Sequence, residues 1–232
     1  MGRAKRILTS RLPSDWRDQI WQSISVTNIA LRSAVAILEL TGCRPCELAK
    51  GVSVELNDEN PEWGEVLLFT IAGAKVGKIT DRNGNLHDRG QPERNIVVPI
   101  TSSPAIHLAN LITEFGRQVI RYHRKSISNR ISEISHRLYP RRREHVSAYC
   151  YRHSFCTDIK DTVPEANTRA AALGHLTDYS QGRYGRPSKG GKGGKKPPIL
   201  EAIASRQVKH SKKSDRLLRF KIASKNNVAK KV

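Results

Sequence analysis

The sequence has no apolar run long enough to cross a bilayer. A membrane-spanning helix needs about 20 apolar residues, and the best run, SAVAILEL at 33–40, is short and includes Glu39. The N-terminus, MGRAKRILTS, is basic but has no apolar stretch of the kind found in signal peptides. Arg6 stands where a myristoylation signal requires Ser or Thr. We therefore predict a cytoplasmic protein with no membrane segment.

Cysteines are also scarce. The four present are too few for the disulfide framework of a secreted scaffold, and they are Cys43, Cys46, Cys150 and Cys156. The Cys43-x-x-Cys46 spacing is that of a zinc or redox motif. However, the two remaining cysteines are six residues apart on one predicted helix and therefore point to different faces. We predict four ordinary reduced cysteines and no metal site.

Acidic residues are half as numerous as basic ones, 21 against 41, which gives a net charge of +20. Such an excess in a chain with no membrane signal indicates a polyanionic partner, most simply a nucleic acid. A ribosome-like structural RNA binder is the less specific alternative. The Gly/Lys-rich stretch SKGGKGGKKPP is not a phosphate-binding P-loop, because it lacks the GKS or GKT ending and a preceding strand.

The fold class predicted by the residue pattern is α+β, mostly helical, with a small antiparallel β-sheet. A chain of 232 residues has room for one domain of about 150–180 residues with appendages. Strands are predicted at 53–57, 65–75 and 94–100, with a long polar loop between the last two. Helices are predicted at 15–24, 27–41, from Pro45 onward, and at 103–115, 121–139, 147–163 and 165–173.

The composition changes after Arg186. Residues 187–198 read as a flexible linker, and ILEAIASRQV at 199–208 is predicted to form one short helix. The Lys-rich remainder has few apolar residues and is expected to order only on a partner. We therefore divide the chain into a basic arm (1–14), one main domain (15–186) and a basic tail (187–232).

Residues able to bind and attack a phosphodiester are concentrated between 149 and 184. Arg152 lies within a predicted helix, so its planar guanidinium can bind two phosphate oxygens from a rigid element. His175 follows a glycine at the end of the next helix, and Tyr184 follows nine residues later. A phenol is a poor nucleophile until surrounding cations favour the phenolate. Three consecutive short elements thus supply an arginine, a histidine and a tyrosine.

Four segments in this order resemble the tyrosine recombinase family, which includes phage integrases, Xer-type resolvases and fimbrial invertases. TGCRPCEL at 41–48 is similar to the first arginine box of the family, with Arg44 and Glu47 at its arginine and acidic positions. YCYRHSF at 149–155 is similar to the second arginine box. LGH supplies His175, and Tyr184 lies at the family's spacing from that histidine. The resemblance spans about 41–186.

The resemblance implies a catalytic domain at 15–186 that cleaves and rejoins DNA as a site-specific recombinase or integrase. Tyr184 would attack a phosphodiester to form a 3′-phosphotyrosyl bond, with Tyr179 the next candidate for the nucleophile. Arg44 and Arg152 would neutralise the non-bridging oxygens, and His175 would hydrogen-bond to one of them.

The resemblance also implies supporting residues and partners. Glu47 would orient Arg44, and His153 would support the second box. Lys75, at the exit of the second predicted strand, would be the general acid, with Lys78 as the alternative. The partners would be double-stranded DNA and three further copies of the chain in a homotetramer on synapsed DNA, so the protein would be associated with the nucleoid. No cofactor or metal is implied.

Two features depart from the family pattern. Tyr149 occupies the position at which the second box usually has a histidine, and a phenol of pKa about 10 is a poorer proton acceptor than an imidazole of about 6.5. The base that activates Tyr184 is therefore open. Only about 14 residues precede the first predicted helix, so the chain is either a fragment or a short member without an N-terminal DNA-binding domain. Two alternative functions are a type IB topoisomerase and a non-catalytic DNA-binding protein of the same fold.

Overall fold

The computed structural model describes residues 12–80, 83–179 and 199–212. Helices and a small antiparallel sheet make up this part of the chain, which confirms the predicted α+β class. The helices are α1 (Trp16–Gln22), α2 (Ile29–Thr41), α3 (Pro45–Lys50), α4 (Ser103–Phe115), α5 (Arg124–Leu138), α6 (Ala148–Thr162) and α7 (Ala166–Ala172). None of the helices in these ranges has the length and apolarity that a membrane span requires.

The strands form a five-stranded sheet and a separate two-stranded ribbon. They are β1 (Val52–Asn60), β2 (Gly64–Ala72), β3 (Gly77–Thr80), β4 (Leu86–Arg89), β5 (Glu93–Pro99), β6 (Gln118–Ile120) and β7 (Glu201–Ala204). The order in the larger sheet is β6-β1-β2-β5-β7, and the ribbon pairs β3 with β4. All pairings are antiparallel.

One face of the sheet is buried against helices. On β2, Leu67, Phe69 and Ile71 are buried, whereas the residues between them are partly exposed. This alternation follows from the two-residue period of a strand. Phe69 pairs with Ile96 of β5, so the buried side chains of adjacent strands form one apolar surface. That surface and helices α2, α4 and α6 enclose a single core.

Helix α2 lies at the centre of this core and has a defined start and end. The Asn28 side chain accepts a hydrogen bond from the Leu31 amide at 3.2 Å, which caps the helix. Gly42 ends the helix in the left-handed region at φ +57° and donates to the Leu38 carbonyl. A Cβ on Gly42 would lie 2.3 Å from the Phe155 ring. Only glycine therefore allows α6 to pack this closely on the end of α2.

The prediction that ILEAIASRQV forms a helix was wrong, because residues 201–204 are strand β7. The segment pairs with the edge of β5, and the Leu200 amide donates to the Val97 carbonyl at 2.8 Å. Ala202 faces inward and Ile203 outward. An open strand edge offers backbone partners that a local helix preference cannot outweigh.

Two other predictions need correction. The long polar loop between the second and third predicted strands contains the β3–β4 ribbon, and the predicted helix at 121–139 starts only at Arg124. The three residues of β6, which precede it, pair with β1. The three strands β3, β4 and β6 are short, and their side chains are exposed or only partly buried, so the sequence carries no alternating apolar pattern there. The linker at 187–198 and the residues beyond 212 lie outside the described part of the chain.

Candidate active site

The first arginine box forms a turn in which Arg44 and Glu47 are held together. Arg44 has extended backbone angles at the N-cap of α3, and Pro45 occupies the first helical position. Glu47 accepts a hydrogen bond from the Arg44 amide at 2.8 Å and forms an ion pair with the Arg44 guanidinium. Glu47 is fully buried. The pair is therefore part of the interior, and it is not a solvated surface pair.

A second arginine, which the sequence analysis missed, binds the same carboxylate. Arg94 is 1% exposed, and its Nη2 lies 2.8 Å from Glu47 Oε2 while its Nε donates to the Ala172 carbonyl at 2.8 Å. Burial alone would raise the pKa of Glu47, but Arg94, then Arg44 and Arg152, hold it well below its ordinary value. Arg94 begins a predicted strand after Pro92 and Glu93, a position at which the sequence favours a solvated side chain.

Arg152 is fully buried on α6 and joins two chain segments. Its Nη1 donates to the Gly42 carbonyl at 2.9 Å, and its Nη2 donates to the Leu173 carbonyl at 2.6 Å. The first carbonyl belongs to the residue that ends α2, and the second belongs to the residue that follows α7. Arg152 therefore fixes the distance between the first arginine box and the segment that leads to His175.

The backbone of His175 is placed by the end of α7. The His175 amide donates to Ala170 and the Gly174 amide donates to Ala171, at 2.9 and 2.8 Å. These two bonds, with Gly174 at φ +63°, form a Schellman motif, in which glycine is favoured because it tolerates the left-handed region. The sequence LGH thus encodes both the helix end and the position of the histidine.

The imidazole of His175 faces Arg152. Its Nε2 lies 3.5 Å from Arg152 Nη2, and the side chain is 8% exposed. Burial, and then the charges of Arg152, Arg44 and Arg94, lower the pKa of His175 to about 2. Because a guanidinium only donates hydrogen bonds, we assign the Nε2 lone pair to the side that faces Arg152. His175 is therefore neutral at physiological pH, and its lowered pKa makes it a weak proton acceptor.

Tyr149 lies in the first turn of α6 and is 42% exposed. Its pKa is raised, first by burial and then by the neighbouring Cys46, and the positive charges of Arg44 and Arg152 only partly oppose this. The phenol is therefore protonated at neutral pH. A protonated phenol can donate a hydrogen bond to a phosphate oxygen but cannot take a proton from another tyrosine.

The structure brings together Arg44, Glu47, Arg152 and His175. The charges of Arg44, Arg152 and Glu47 also act on the pKa of Tyr149. With Arg94, three guanidinium groups surround the Glu47 carboxylate, so the cluster has an excess of positive charge. Arg44 is its partly exposed member, and we call the solvent-facing side at Arg44 the mouth of the cluster. An anion such as a phosphodiester is the ligand that this excess favours.

The other predicted site residues are placed less closely or lie outside the described residues. Lys75 is exposed in the turn between β2 and β3, and Lys78 is exposed within β3. His153 is half-buried beside Arg152 on α6, and Tyr179 is 39% exposed. Tyr184, the predicted nucleophile, lies outside the described residues.

Gln91 is a further residue of the site that the sequence did not predict; it is 2% exposed and donates to the His175 carbonyl at 3.2 Å. It lies in the polar segment RGQP, where nothing in the sequence distinguishes a buried amide from a solvated one. The four cysteines are free thiols. Burial raises the pKa of Cys43 to about 12 and that of Cys156 to about 11, so both are protonated.

No family model matches the sequence, and no curated protein does either. Several solved structures are similar to it. One is XerH site-specific recombinase bound to difH substrate in a pre-cleavage complex, with a TM-score of 0.46 and 18% identity over 77% of this chain and 51% of that one. Another is XerA recombinase, with a TM-score of 0.42 and 14% identity over 73% and 57% of the two chains.

The Tn1549 transposon integrase in complex with transposon right end DNA is also similar, with a TM-score of 0.43 and 13% identity over 73% of this chain and 59% of that one. This chain therefore spans between half and three fifths of the length of these three structures. All three are recombinases or integrases, the kind of protein that the sequence motifs resemble.

Proposed function

We propose that this protein is a tyrosine-type DNA strand transferase, a site-specific recombinase or integrase that acts on double-stranded DNA. The observation that supports this most strongly is the buried cluster of Arg44, Glu47, Arg152 and His175. Residues more than 100 positions apart converge on one positively charged site, in the order and spacing of the recombinase boxes. A surface that bound DNA by charge alone would not need a carboxylate buried to hold two arginines.

In the proposed reaction the Tyr184 oxygen attacks the phosphorus of a scissile phosphodiester. A P–O bond to tyrosine forms, the bond to the 5′-oxygen breaks, and the product is a 3′-phosphotyrosine with a free 5′-hydroxyl. A second 5′-hydroxyl reverses these steps to join a new strand. The tyrosyl bond conserves the energy of the phosphodiester, so the reaction as proposed consumes no nucleotide and uses no metal.

The remaining residues stabilise the developing charge and donate protons or hydrogen bonds. Arg44, at the mouth of the cluster, and Arg152, behind it, offset the charge that develops on the non-bridging oxygens. Lys75 gives a proton to the departing 5′-oxygen. Tyr149 donates a hydrogen bond, because its phenol stays protonated. His175 hydrogen-bonds to one of the non-bridging oxygens. Its lowered pKa makes it a weak proton acceptor, so we assign no residue as the base, and the Tyr184 proton passes to solvent.

The active assembly in this proposal is a homotetramer on two synapsed DNA duplexes. The basic tail from 187 onward adds affinity by neutralising phosphates. The cluster around Glu47 gives the monomer a phosphate site, and exchange between duplexes requires several such sites in one complex.

A nicked suicide DNA substrate tests the proposal. Cleavage on such a substrate releases a short 5′-hydroxyl fragment that diffuses away, so a covalent protein–DNA adduct accumulates. We expect an adduct with the wild-type chain and none with Tyr184→Phe, whose DNA affinity should be nearly unchanged because only one oxygen is removed. Tyr179→Phe is the matched control and should form the adduct normally.

The same experiment separates the alternatives. A wild-type chain that binds DNA without forming any adduct would be a non-catalytic binder. A chain that forms the adduct and, in a separate assay on intact supercoiled DNA, relaxes it without exchange between duplexes would be a topoisomerase. Loss of the adduct in Tyr179→Phe with retention in Tyr184→Phe would move the nucleophile to Tyr179.

A further inference from the structure

Gln91 is a buried amide whose hydrogen-bonding groups all have partners. It lies between β4 and β5 and is 2% exposed. Its Nε2 donates to the His175 carbonyl at 3.2 Å and to the Arg206 carbonyl at 2.8 Å, and its Oε1 accepts from the Arg206 amide at 2.9 Å. One side chain thus connects the histidine of the site with the residues that follow β7.

The turn that carries Lys75 belongs to the same junction. Gly90, next to Gln91, has φ +69°, and a Cβ there would lie 2.0 Å from the Lys75 carbonyl oxygen. The backbones of the two turns are therefore in direct contact. Arg206 adds a side-chain hydrogen bond to the Gly90 carbonyl at 3.2 Å and an ion pair with Asp88 of β4 at 3.3 Å.

The chain beyond Arg206 then runs beside the residues that follow His175. The Lys209 amide donates to the Leu176 carbonyl at 2.7 Å, and the Asp178 amide donates back to Lys209 at 3.3 Å. The Asp178 carboxylate accepts from the Ser211 amide at 3.0 Å and lies 2.7 Å from His210 Nδ1. These contacts form a second connection between the same two segments.

We propose that Gln91 is a positioning residue that makes the placement of both His175 and the Lys75 turn depend on the docking of residues 199–212. This inference rests on the proposed function for the roles of His175 and Lys75. The C-terminal segment 199–212 thereby supports the candidate site through its contacts with Gln91.

Removal of the Gln91 side-chain amide takes a hydrogen-bonding partner from three backbone groups. In Gln91→Ala the partly buried Arg206 amide and two carbonyls lose a hydrogen-bonding partner, and we expect the segment 199–212 to move away and admit water. The His175 backbone then loses one of the contacts that position it. A displacement of about 1 Å of a catalytic group lowers a rate by about 100-fold.

Gln118→Ala is a matched control. Gln118 is also a glutamine whose Nε2 donates to two backbone carbonyls, those of Phe115 and Gly116, at 3.1 and 3.0 Å. It lies on β6, at the opposite edge of the five-stranded sheet. In single-turnover cleavage of the nicked DNA at saturating enzyme, we expect Gln91→Ala to cleave about 10- to 100-fold more slowly with a DNA Kd within about 2-fold of wild type. Gln118→Ala should match the wild type in both.

Amide hydrogen exchange of the full-length proteins provides a readout that does not need activity. In Gln91→Ala the Arg206, Lys209 and Asp178 amides should exchange at least about 10-fold faster, while amides of the β1–β2 pairing stay protected. Wild-type exchange at these three amides, or a normal cleavage rate, would overturn the inference. If the wild type forms no covalent adduct, the proposed function fails, and the exchange result alone then decides whether Gln91 couples the two segments.

A second variant covers the case in which Gln91→Ala does not fold. Gln91→Glu keeps an acceptor for the Arg206 amide but, when ionised, offers no donor to the two carbonyls. It should show faster exchange at Asp178 and Lys209 and slower cleavage, in the same direction as Gln91→Ala. Wild-type behaviour of a folded Gln91→Glu protein in both measurements would also contradict the proposed role.

Discussion

At the scale of single residues, the candidate site depends on the Glu47 carboxylate. One buried acid binds Arg44 and Arg94 directly and lies close enough to Arg152 to be affected by its charge. Arginines brought this close repel one another unless an anion lies between them. Glu47 thus allows the positive charge to be concentrated while leaving Arg44 partly exposed at the mouth.

Glu47→Gln should therefore destabilise the fold by about 3–5 kcal/mol, because it leaves buried guanidinium groups without a counter-charge. The measurement is urea unfolding. Glu133→Gln is the control, since Arg130 and Glu133 form an ion pair of the same i,i+3 spacing in which both side chains are more than half exposed. That change should cost less than about 1 kcal/mol.

The same variant should show a defined pH dependence. The pKa of Glu47 is lower in the folded chain than its ordinary value of 4.5, so the ionised carboxylate stabilises the fold above pH 4.5, and this stabilisation is lost as the pH falls below that value. The difference between wild type and Glu47→Gln should thus be complete at pH 7 and shrink below pH 4.5. A difference that grows on acidification would contradict the assignment.

Lys75 and Lys78 can be distinguished by the chemistry of the leaving group. An alkoxide needs a proton to depart, and proton donation typically contributes about 10²- to 10⁴-fold in rate. A thiolate needs none. We expect Lys75→Ala to lose that factor on normal DNA and to recover it on DNA with sulfur at the bridging 5′ position, whereas Arg44→Ala should stay slow on both.

Lys78→Ala is the comparison for that experiment and should cleave both substrates normally. Sulfur rescue of Lys78→Ala, with normal cleavage by Lys75→Ala, would assign the general acid to Lys78. Rescue of neither variant would assign the proton to Tyr149, His153 or water.

At the scale of elements, the end of α7 determines where His175 lies. Gly174 adopts φ +63°, and a Cβ there would lie 3.0 Å from Arg94 Nη1. The absence of a side chain at Gly174 therefore leaves room for the buried Arg94 guanidinium. Arg94 also donates to the Ala172 carbonyl, three residues before the histidine.

Gly174→Ala should be more harmful than the same change at Gly64, which has nearly the same φ of +64° but open space around it. Each substitution costs about 1 kcal/mol for the left-handed backbone, and only Gly174→Ala also displaces Arg94. We expect Gly174→Ala to slow DNA cleavage about 10-fold or more through His175, measured in single turnover. Equal cleavage rates in Gly174→Ala and Gly64→Ala would mean that the contact with Arg94 is of no consequence.

At the scale of the whole molecule, charge and fold are combined in the C-terminal region. Residues 199–212 complete the sheet and contact the site, while the residues from 213 onward carry a further group of cations: Lys213, Arg216, Arg219, Lys221, Lys225, Lys230 and Lys231. Two truncations separate these contributions.

A chain that ends at Lys212 should bind DNA more weakly and show a flatter dependence of log affinity on log salt, because each phosphate contact contributes about −0.9 to that slope. Its stability to urea should match that of the full chain. A chain that ends at Arg186 should in addition lose stability and cleavage, because β7 and the Gln91 contacts are removed. An unchanged salt slope for the chain that ends at Lys212 would argue against a role for residues 213–232 in DNA affinity.

The sequence by itself determined the class of the fold, and it predicted a site that includes Arg44, Glu47, Arg152 and His175, which the structure brings close together. Apolar periodicity located most of the helices and the three longer strands, since those patterns result from local geometry. The boxes around Arg44, Arg152 and His175 could be recognised because their residues and spacing resemble those of the tyrosine recombinase family. Glu47 could be paired with Arg44 because three residues separate them on one helical turn.

Only the tertiary structure decided what depends on contacts between distant segments. Arg94 and Gln91 are polar residues beside Pro92 that the sequence favours as solvated, and they became part of the site because α7 and the segment after β7 pack over them. ILEAIASRQV became a strand because the β5 edge offered it backbone partners. The local pattern of a segment cannot encode such outcomes, since the hydrogen-bonding partners of Arg94, Gln91 and β7 lie between 47 and 115 residues away along the chain.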